Sequence, residues 1–290
     1  MLTLEALQKK IVTAHGLLSV VKTMKSLAAL NIRHYEAAAA ALEDYNRVVD
    51  MGWQVLFGQK TPLPPTAVRS GAAPAVLLVV GSDQGMCGQF NEVLLDQVAE
   101  AGAEKPARHF WAVGERIAAG LADGGHDYQY FSLPGSIASI NGRVQDIVES
   151  FAAWQRDKNV DTLFVVYNRL TGRSGYKPVR QRILPLDQEW LVRFREKKWP
   201  SACLPQAGLP PAELFSQLFR QYLFAALYRA FAHSMASENA ARLAAMQAAE
   251  QNILDLQEDL QAEFRETRQN AITTELLDII AGFEASGRAP

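Results

Sequence analysis

MQAAEQNILDLQEDLQAEFRETRQNA, from Met246 to Ala271, is the stretch whose reading decides the fold. Within it Met246, Ala249, Ile253, Leu256, Leu260, Phe264, Thr267 and Ala271 recur at steps of three and four. That spacing holds one helix face against a partner helix in a left-handed supercoil. The residues between them, Glu250, Gln251, Asp255, Gln257, Glu258 and Asp259, are polar. The helical pattern is wider than the quoted stretch, since neither proline nor glycine occurs between Pro211 and Gly282. At about 1.5 Å of rise per residue such a helix is a rod of about 90 to 100 Å, too long to fold back into a compact core.

A matching seam lies at the other end of the chain. Leu4, Leu7, Ile11, Ala14, Leu18 and Val21, then Ala28, Ile32, Tyr35, Ala39 and Leu42, keep the same rhythm, and only Lys25 breaks it. Gly16 costs about 1 kcal/mol relative to alanine inside a helix without cutting it. The two ends therefore predict an antiparallel coiled coil, with long surface helices of an ordinary bundle as the alternative.

Between the rods the period shortens. After the proline-rich stretches Thr61–Pro65 and Gly71–Pro74, which read as a linker, Ala75-Val76-Leu77-Leu78-Val79-Val80 has the character of a buried strand. A helix over Asn91–Ala103, a strand over His109–Val113, a helix over Glu115–Ala122 and a strand over Asp127–Ser132 follow. Asn141–Asp157 is an amphipathic helix with Val144, Ile147, Val148, Phe151 and Trp154 on one side. Thr162–Tyr167 and Val179–Leu184 supply the last strands. This alternation predicts an α/β fold, a Rossmann-like, mostly parallel sheet domain inserted between the long N- and C-terminal helices of the coiled coil. The boundaries are residues 1–57 for the first helix, 58–74 for the linker, 75–205 for the α/β domain and 206–290 for the last helix.

Composition narrows the function classes. Twenty-nine Lys and Arg against 31 Asp and Glu give a formal charge of −2, with no basic excess that would argue for nucleic acid. Two cysteines, Cys87 and Cys203, are too few for a disulfide framework and predict a reducing compartment. The run Ala75–Val80 is far short of a bilayer span and no secretory segment opens the chain, so a soluble protein is expected.

Gly81-Ser82-Asp83-Gln84-Gly85-Met86-Cys87-Gly88 follows the first strand, where glycines let backbone amides approach a phosphate in nucleotide-binding folds. The spacing is neither the dinucleotide fingerprint nor a Lys-Ser/Thr phosphate loop, which favours a structural turn from strand to helix. Cys87 has no identifiable histidine partner, and His109 and His126 follow no recognisable spacing. His15, His34 and His233 are isolated on helices, and no His/Cys/Asp/Glu cluster has metal-ligand spacing. No catalytic residue, cofactor or metal is expected.

Two C-terminal stretches, Ser237-Glu238-Asn239-Ala240-Ala241-Arg242-Leu243-Ala244-Ala245-Met246 and Arg268-Gln269-Asn270-Ala271-Ile272-Thr273-Thr274-Glu275-Leu276-Leu277-Asp278-Ile279-Ile280-Ala281-Gly282, resemble the signature of the γ subunit of F-type ATP synthases. The loop Ser82–Asn91 resembles that family's Asp-Arg-Gly-Leu-Cys-Gly-Gly-x-Asn, and Lys22-Thr23-Met24-Lys25-Ser26-Leu27-Ala28-Ala29 its Lys-x-Met-x-x-Val-Ala-Ala. The resemblance spans nearly the whole chain. It implies a central stalk whose terminal helices turn inside a ring of three α and three β subunits, coupling ion flow to ATP synthesis or hydrolysis without binding nucleotide. Its α/β domain would lie near the ε subunit and the membrane c-ring, at the cytoplasmic face of a bacterial inner membrane and peripheral to it.

Carried over residue by residue, the resemblance implies that Arg268, Gln269 and Thr273 hydrogen-bond the β subunit's catch loop, and that Met24 and Lys25 pass the same region. Lys22, Lys25 and Arg268 are expected to face acidic loops of β. Gly81, Asp83, Gly85, Cys87, Gly88 and Asn91 are expected to shape a structural loop. Departures fall at Gln84 for arginine, Gln89 for glycine, Asn31–Glu36 for a more basic turn, and Ser201–Pro205 for a tyrosine-containing segment. Contacts to ε and the c-ring are therefore the least transferable. Several variants are similar to a divergent bacterial branch proposed to pump ions, often sodium. No inserted cysteine pair of the chloroplast kind is present, so thiol switching is not expected, and the lack of a transit-like leader favours a bacterial origin. Two rivals remain: an α/β enzyme taking a phosphorylated ligand at Gly81–Gly88, and a passive coiled-coil adaptor.

Overall fold

The computed structural model describes residues 3–58, 74–102, 108–172, 175–186 and 207–286, with the single residues 194, 199, 203 and 205. Most of the predicted linker, Phe283's side chain and Ser201, Ala202 and Leu204 fall outside the described residues. In chain order the elements are α1 (Leu4–Gly58), β1 (Ala75–Val80), α2 (Glu92–Gly102), β2 (Arg108–Val113), α3 (Glu115–Asp123), β3 (Tyr128–Phe131), α4 (Ile137–Asp157), β4 (Thr162–Thr171), β5 (Gly175–Leu184) and α5 (Pro211–Ser286). They form two compact units, one of Met1–Leu27 with Leu243–Pro290, the other of Ala28–Arg242.

The larger unit is built on a five-stranded sheet in the order β3-β2-β1-β4-β5. β1 is apolar at every position because it is the central strand, buried on both faces and paired in parallel with β2 and β4. Val76, Leu78 and Val80 pack in one cluster with Ile140, Val144, Ile147 and Phe151 of α4 and Leu227 and Phe231 of α5. Leu77 and Val79 pack in the other with Leu94 and Val98 of α2 and Ile117 and Leu121 of α3. The sheet is thus mostly parallel, as the alternation of strands and helices requires, with β5 antiparallel to β4 at one edge.

Boundaries shift where side-chain chemistry overrides hydrophobic pattern. α4 starts at Ile137 rather than Asn141, because Ser136 and Ser139 form a reciprocal capping box that satisfies its first amides. β4 and β5 extend past their apolar cores to Thr171 and Gly175, since ladder pairing of Asn168 with Pro178 and Leu170 with Tyr176 holds the polar ends of the hairpin. Gly172 supplies the positive φ of 73° just beyond β4.

The expectation that the C-terminal rod stays out of a compact core holds only for its second half. Leu223, Leu227, Phe231, Met235 and Ala236 of α5 are core residues of the α/β unit. Trp53 and Phe57 near the end of α1 stack with ring centroids 5.6 Å apart, and Trp53 meets Phe215 of α5 edge-on at 5.5 Å. A helix can be too long to fold back and still lend one stretch of its surface to a sheet.

In the smaller unit the seam of α1 follows its predicted phase, with Leu7, Ala14 and Leu18 buried and Leu4, Ile11 and Val21 half-buried. On α5 the phase differs from the prediction. Leu256 is 49% exposed, whereas Gln257 is half-buried. From Glu250 onward the covered positions Glu250, Ile253, Gln257, Leu260, Phe264, Thr267 and Ala271 alternate by three and four, with Met246 and Ala249 also covered. Hydrophobicity alone selects Leu256, which forces two successive steps of four between Leu256 and Phe264. The heptad geometry instead places Gln257 on the seam, with Glu250 and Thr267 as further polar members.

Candidate functional site

In an open α/β sheet a ligand crevice opens beyond the carboxyl ends of the strands, at the point where strand order reverses. Here that point is β1, with β2 and β3 to one side and β4 and β5 to the other. The predicted loop Gly81–Asn91 leaves β1 there. Gly81 donates its amide to Val113 O at 3.0 Å, Ser82 donates its amide to Asn91 Oδ1 at 3.1 Å, and Phe90 donates to Cys87 O at 3.3 Å. Asn91 Nδ2 donates to Ser82 Oγ at 2.9 Å, and Asn168 Nδ2 donates to Phe90 O at 2.8 Å. These loop amides are consumed inside the protein rather than aimed at a phosphate.

Each predicted loop residue has a steric or polar reason for its place. A β-carbon on Gly81 would stand 2.1 Å from Ile117 Cγ1, and Gly88 sits at φ 58°. Asp83 Oδ1 accepts the amide of Glu115 at 3.1 Å, at the first turn of α3, where a carboxylate is favoured. A β-carbon on Gly85 would meet the Arg116 guanidinium at 3.0 Å. Cys87 is 2% exposed, and burial pushes its thiol up, the reverse of what a nucleophile needs.

The crevice itself is filled by α5. Ser234 Oγ donates to Val80 O at 2.7 Å, at the end of β1, and Ser237 Oγ donates to Asn168 O at 3.0 Å, on β4. Ala241 joins the cluster of Cys87, Phe90 and Leu94. One turn on, Arg242 Nη2 pairs with Glu238 Oε1 at 2.7 Å. Glu238 is nearly fully buried, and burial raises its carboxyl above the ordinary range against the pull of Arg242. Asn31 Nδ2 of α1 donates to Asn239 Oδ1 at 3.3 Å. Small side chains let α5 come this close, and two serine hydroxyls bond strand carbonyls where a bound ligand would otherwise lie. Sequence reading passed over Ser234 and Ser237; their spacing of three along an apolar, alanine-rich helix face was the available signal.

The predicted partner-contact residues lie on the smaller unit. Lys25 pairs with Glu250 across the two helices, so the lysine that breaks the α1 seam meets a carboxylate of its own chain. Lys22 is exposed and Met24 half-buried. Arg268, Gln269 and Thr273 are exposed, and Thr273 Oγ1 donates to Gln269 O at 2.9 Å. Antiparallel helices in the register of Lys25 with Glu250 put Arg268 level with Leu7, about 27 Å along the coil from Glu250. The structure therefore separates Lys22, Met24 and Lys25 from Arg268, Gln269 and Thr273, which the sequence reading had assigned to one region.

A family model described as ATP synthase matches residues 3–285. The ATP synthase gamma chain of Geotalea daltonii is 24% identical, over 98% of this chain and 99% of its own length. The gamma chain of Phocaeicola vulgatus is 26% identical over 97% and 99%. The chain belongs to the ATP synthase γ-chain family. The fold is shared with a chain of the Euglena gracilis mitochondrial ATP synthase, OSCP/F1/c-ring, which superposes with a TM-score of 0.67 at 18% identity, covering 99% of this chain and 97% of that one. Among the described residues no helix is long and apolar enough to cross a membrane.

Proposed function

We propose that the chain is the central rotor stalk of an F-type ATP synthase, coupling ion flow through a c-ring to sequential conformational change in the catalytic β subunits. The observation that carries this reading is the end of α5. From Ile272 to Gly282 every residue is exposed, and Ile272, Leu276, Leu277, Ile279 and Ile280 are among them. An apolar helix end left uncovered by its own chain calls for a bearing supplied by other subunits. Membership of the γ-chain family supports a ring of α and β subunits as that bearing.

In this reading residues 1–57 and 206–290 form the shaft, 75–205 the α/β foot, and 58–74 their link. Lys22, Met24 and Lys25 form one set of β contacts and Arg268, Gln269 and Thr273 a second, higher set at the catch loop; Lys25 acts there together with Glu250. In this reading the subunit itself is non-catalytic, which is supported by the internal bonds of the Gly81, Ser82 and Phe90 amides, the burial of Cys87 and the hydroxyls of α5 on the carbonyls of Val80 and Asn168. An asymmetric shaft meets each β subunit differently, so its coupling works through differential contacts rather than chemistry. The foot would meet ε and the c-ring, peripheral to the cytoplasmic face of a bacterial inner membrane, with a proton or sodium ion as the coupling ion.

Co-expression with the α and β subunits of the same organism, followed by size separation and an ATPase assay, tests the proposal. One copy per ring and an ATPase rate that depends on the chain are expected. Failure to join the ring, or saturable nucleotide binding by the isolated chain, would overturn it.

A further inference from the structure

Where the hairpin of β4 and β5 meets α5, positive charge gathers on one face of the sheet. An open groove of about 570 Å³ lies there, lined on this face by Tyr167, Arg169, Arg229 and His233. Tyr167 and His233 stack with ring centroids 6.3 Å apart, and the Tyr167 hydroxyl donates to Gln181 Oε1 at 3.4 Å. Lys177 stands directly across the ladder from Arg169, so both side chains leave the sheet on the same face. Like charges placed opposite each other in a sheet are destabilising. Arg180 and Arg182 alternate to the other face, where Arg180 lies over the Phe164 ring, and take no part in this cluster.

Arg169 and Arg229 converge on the two rings. Both act on Tyr167, opposing the rise that burial gives its phenol, and after burial both hold the His233 imidazole below its ordinary range. Of the groups acting on His233 only Glu43, on α1, works in the opposite sense. Among the described residues Arg169, Lys177, Arg229 and Glu43 have no ion-pair partner. Three cations against one exposed carboxylate leave two positive charges unmatched. A phosphate group carries about −1.5 to −2 at neutral pH and three strong acceptor oxygens, which suits charged donors arriving from β4, β5 and α5. A lone carboxylate brings one charge only. The groove is larger than a phosphate and within the size range of small-molecule sites, so Tyr167 and Val179 leave room for the body that carries the group.

We propose that Arg169, Arg229 and His233 bind one phosphate group, with Lys177 at the rim of the site, carried by a soluble phosphomonoester or by a phospholipid headgroup. The proposal goes beyond the rotor reading and does not depend on it, because it is tested on the chain alone. Inorganic phosphate is titrated into the full chain, free of any histidine tag, and the imidazole signals are followed by NMR, with His233 assigned through His233→Gln. Saturable movement of the His233 signal in millimolar phosphate is expected, together with an upward displacement of its titration midpoint. Half-saturation should need about tenfold more phosphate in the Arg169→Ala/Arg229→Ala double variant, and less than that with lysine at both positions. The double variant's circular dichroism and melting temperature should match the parent's, and Arg156→Ala, on exposed α4 surface, should bind as the parent does. No saturable movement, an equal response to acetate at the same ionic strength, or equal affinity in the double variant would each overturn the assignment. Flotation with phosphatidylcholine vesicles, with and without phosphatidic acid, separates the two sources. Capture by the acidic vesicles that is lost in the double variant assigns a lipid headgroup, whereas phosphate binding without arginine-dependent capture assigns a soluble ligand. In ring co-expression the double variant should still assemble with α and β, so loss of phosphate binding and loss of the rotor role remain separate results.

Discussion

A β-carbon at position 81 would fall 2.1 Å from Ile117 Cγ1 and 2.9 Å from Asn91 Oδ1, between the two groups that hold the loop closed. Gly81→Ala should therefore destabilise the α/β unit by about 1–3 kcal/mol, the cost of overpacking a filled site, and urea unfolding measures it. Unchanged stability would mean that the loop is slack. Glu238 makes a pH prediction of the opposite kind. Burial raises its folded-state pKa above the ordinary 4.5, so folding takes up protons there. Its contribution is most favourable below pH 4.5 and is lost as pH rises through the raised value. Compared with Glu238→Gln across pH 4 to 8, the parent should lose relative stability towards the alkaline end; parallel curves would show that Arg242 offsets the desolvation completely. Glycines 81 and 88 and Asn91 could be read as a loop from sequence, because a turn after a buried strand has recognisable chemistry. What Asn91 bonds could not, since Ser82 becomes its partner only when the turn closes.

The strict four-three alternation of the α5 seam is an element-scale statement and can be tested there. Gln257→Leu should stabilise the coil by about 1 kcal/mol, by replacing a half-buried amide with apolar surface. Leu256→Gln should change stability by a few tenths of a kcal/mol, as expected of an exposed site. The reverse ranking in thermal melts would restore the phase with Leu256 inside. Lys25 and Glu250 provide a second test of the same register. Their side chains are 32% and 18% exposed, and a double-mutant cycle with alanine should give a coupling of about 0.5–1 kcal/mol that weakens in salt. Zero coupling would remove the pair as a register mark. The seam's existence was legible because heptads repeat over many turns, while its phase was not, because glutamate and glutamine look like surface until a lysine from the opposite helix sits across from one of them.

For the whole chain, deletion of residues 275–290 should leave the melting temperature of the isolated protein unchanged and reduce its aggregation, since Leu276, Leu277, Ile279 and Ile280 are exposed. A lower melting temperature would mean that this end packs on its own chain. The sequence by itself determined two long helices, a central strand apolar on both sides, alternating strands and helices, and a loop too poor in motif to be a phosphate site. Those features follow from periodicity and turn chemistry, which act over neighbouring residues. Only the tertiary structure decided that the first half of α5 belongs to the sheet's core, that Ser234 and Ser237 close the crevice at β1, and that Arg169 and Arg229 share a groove with the edge strand. Each of those depends on which surfaces meet across long stretches of chain, as between Val80 and Ser234, separated by 154 positions. A local pattern carries no record of such a meeting, because the same alanine- and serine-rich helix face would be stable against any surface of matching shape.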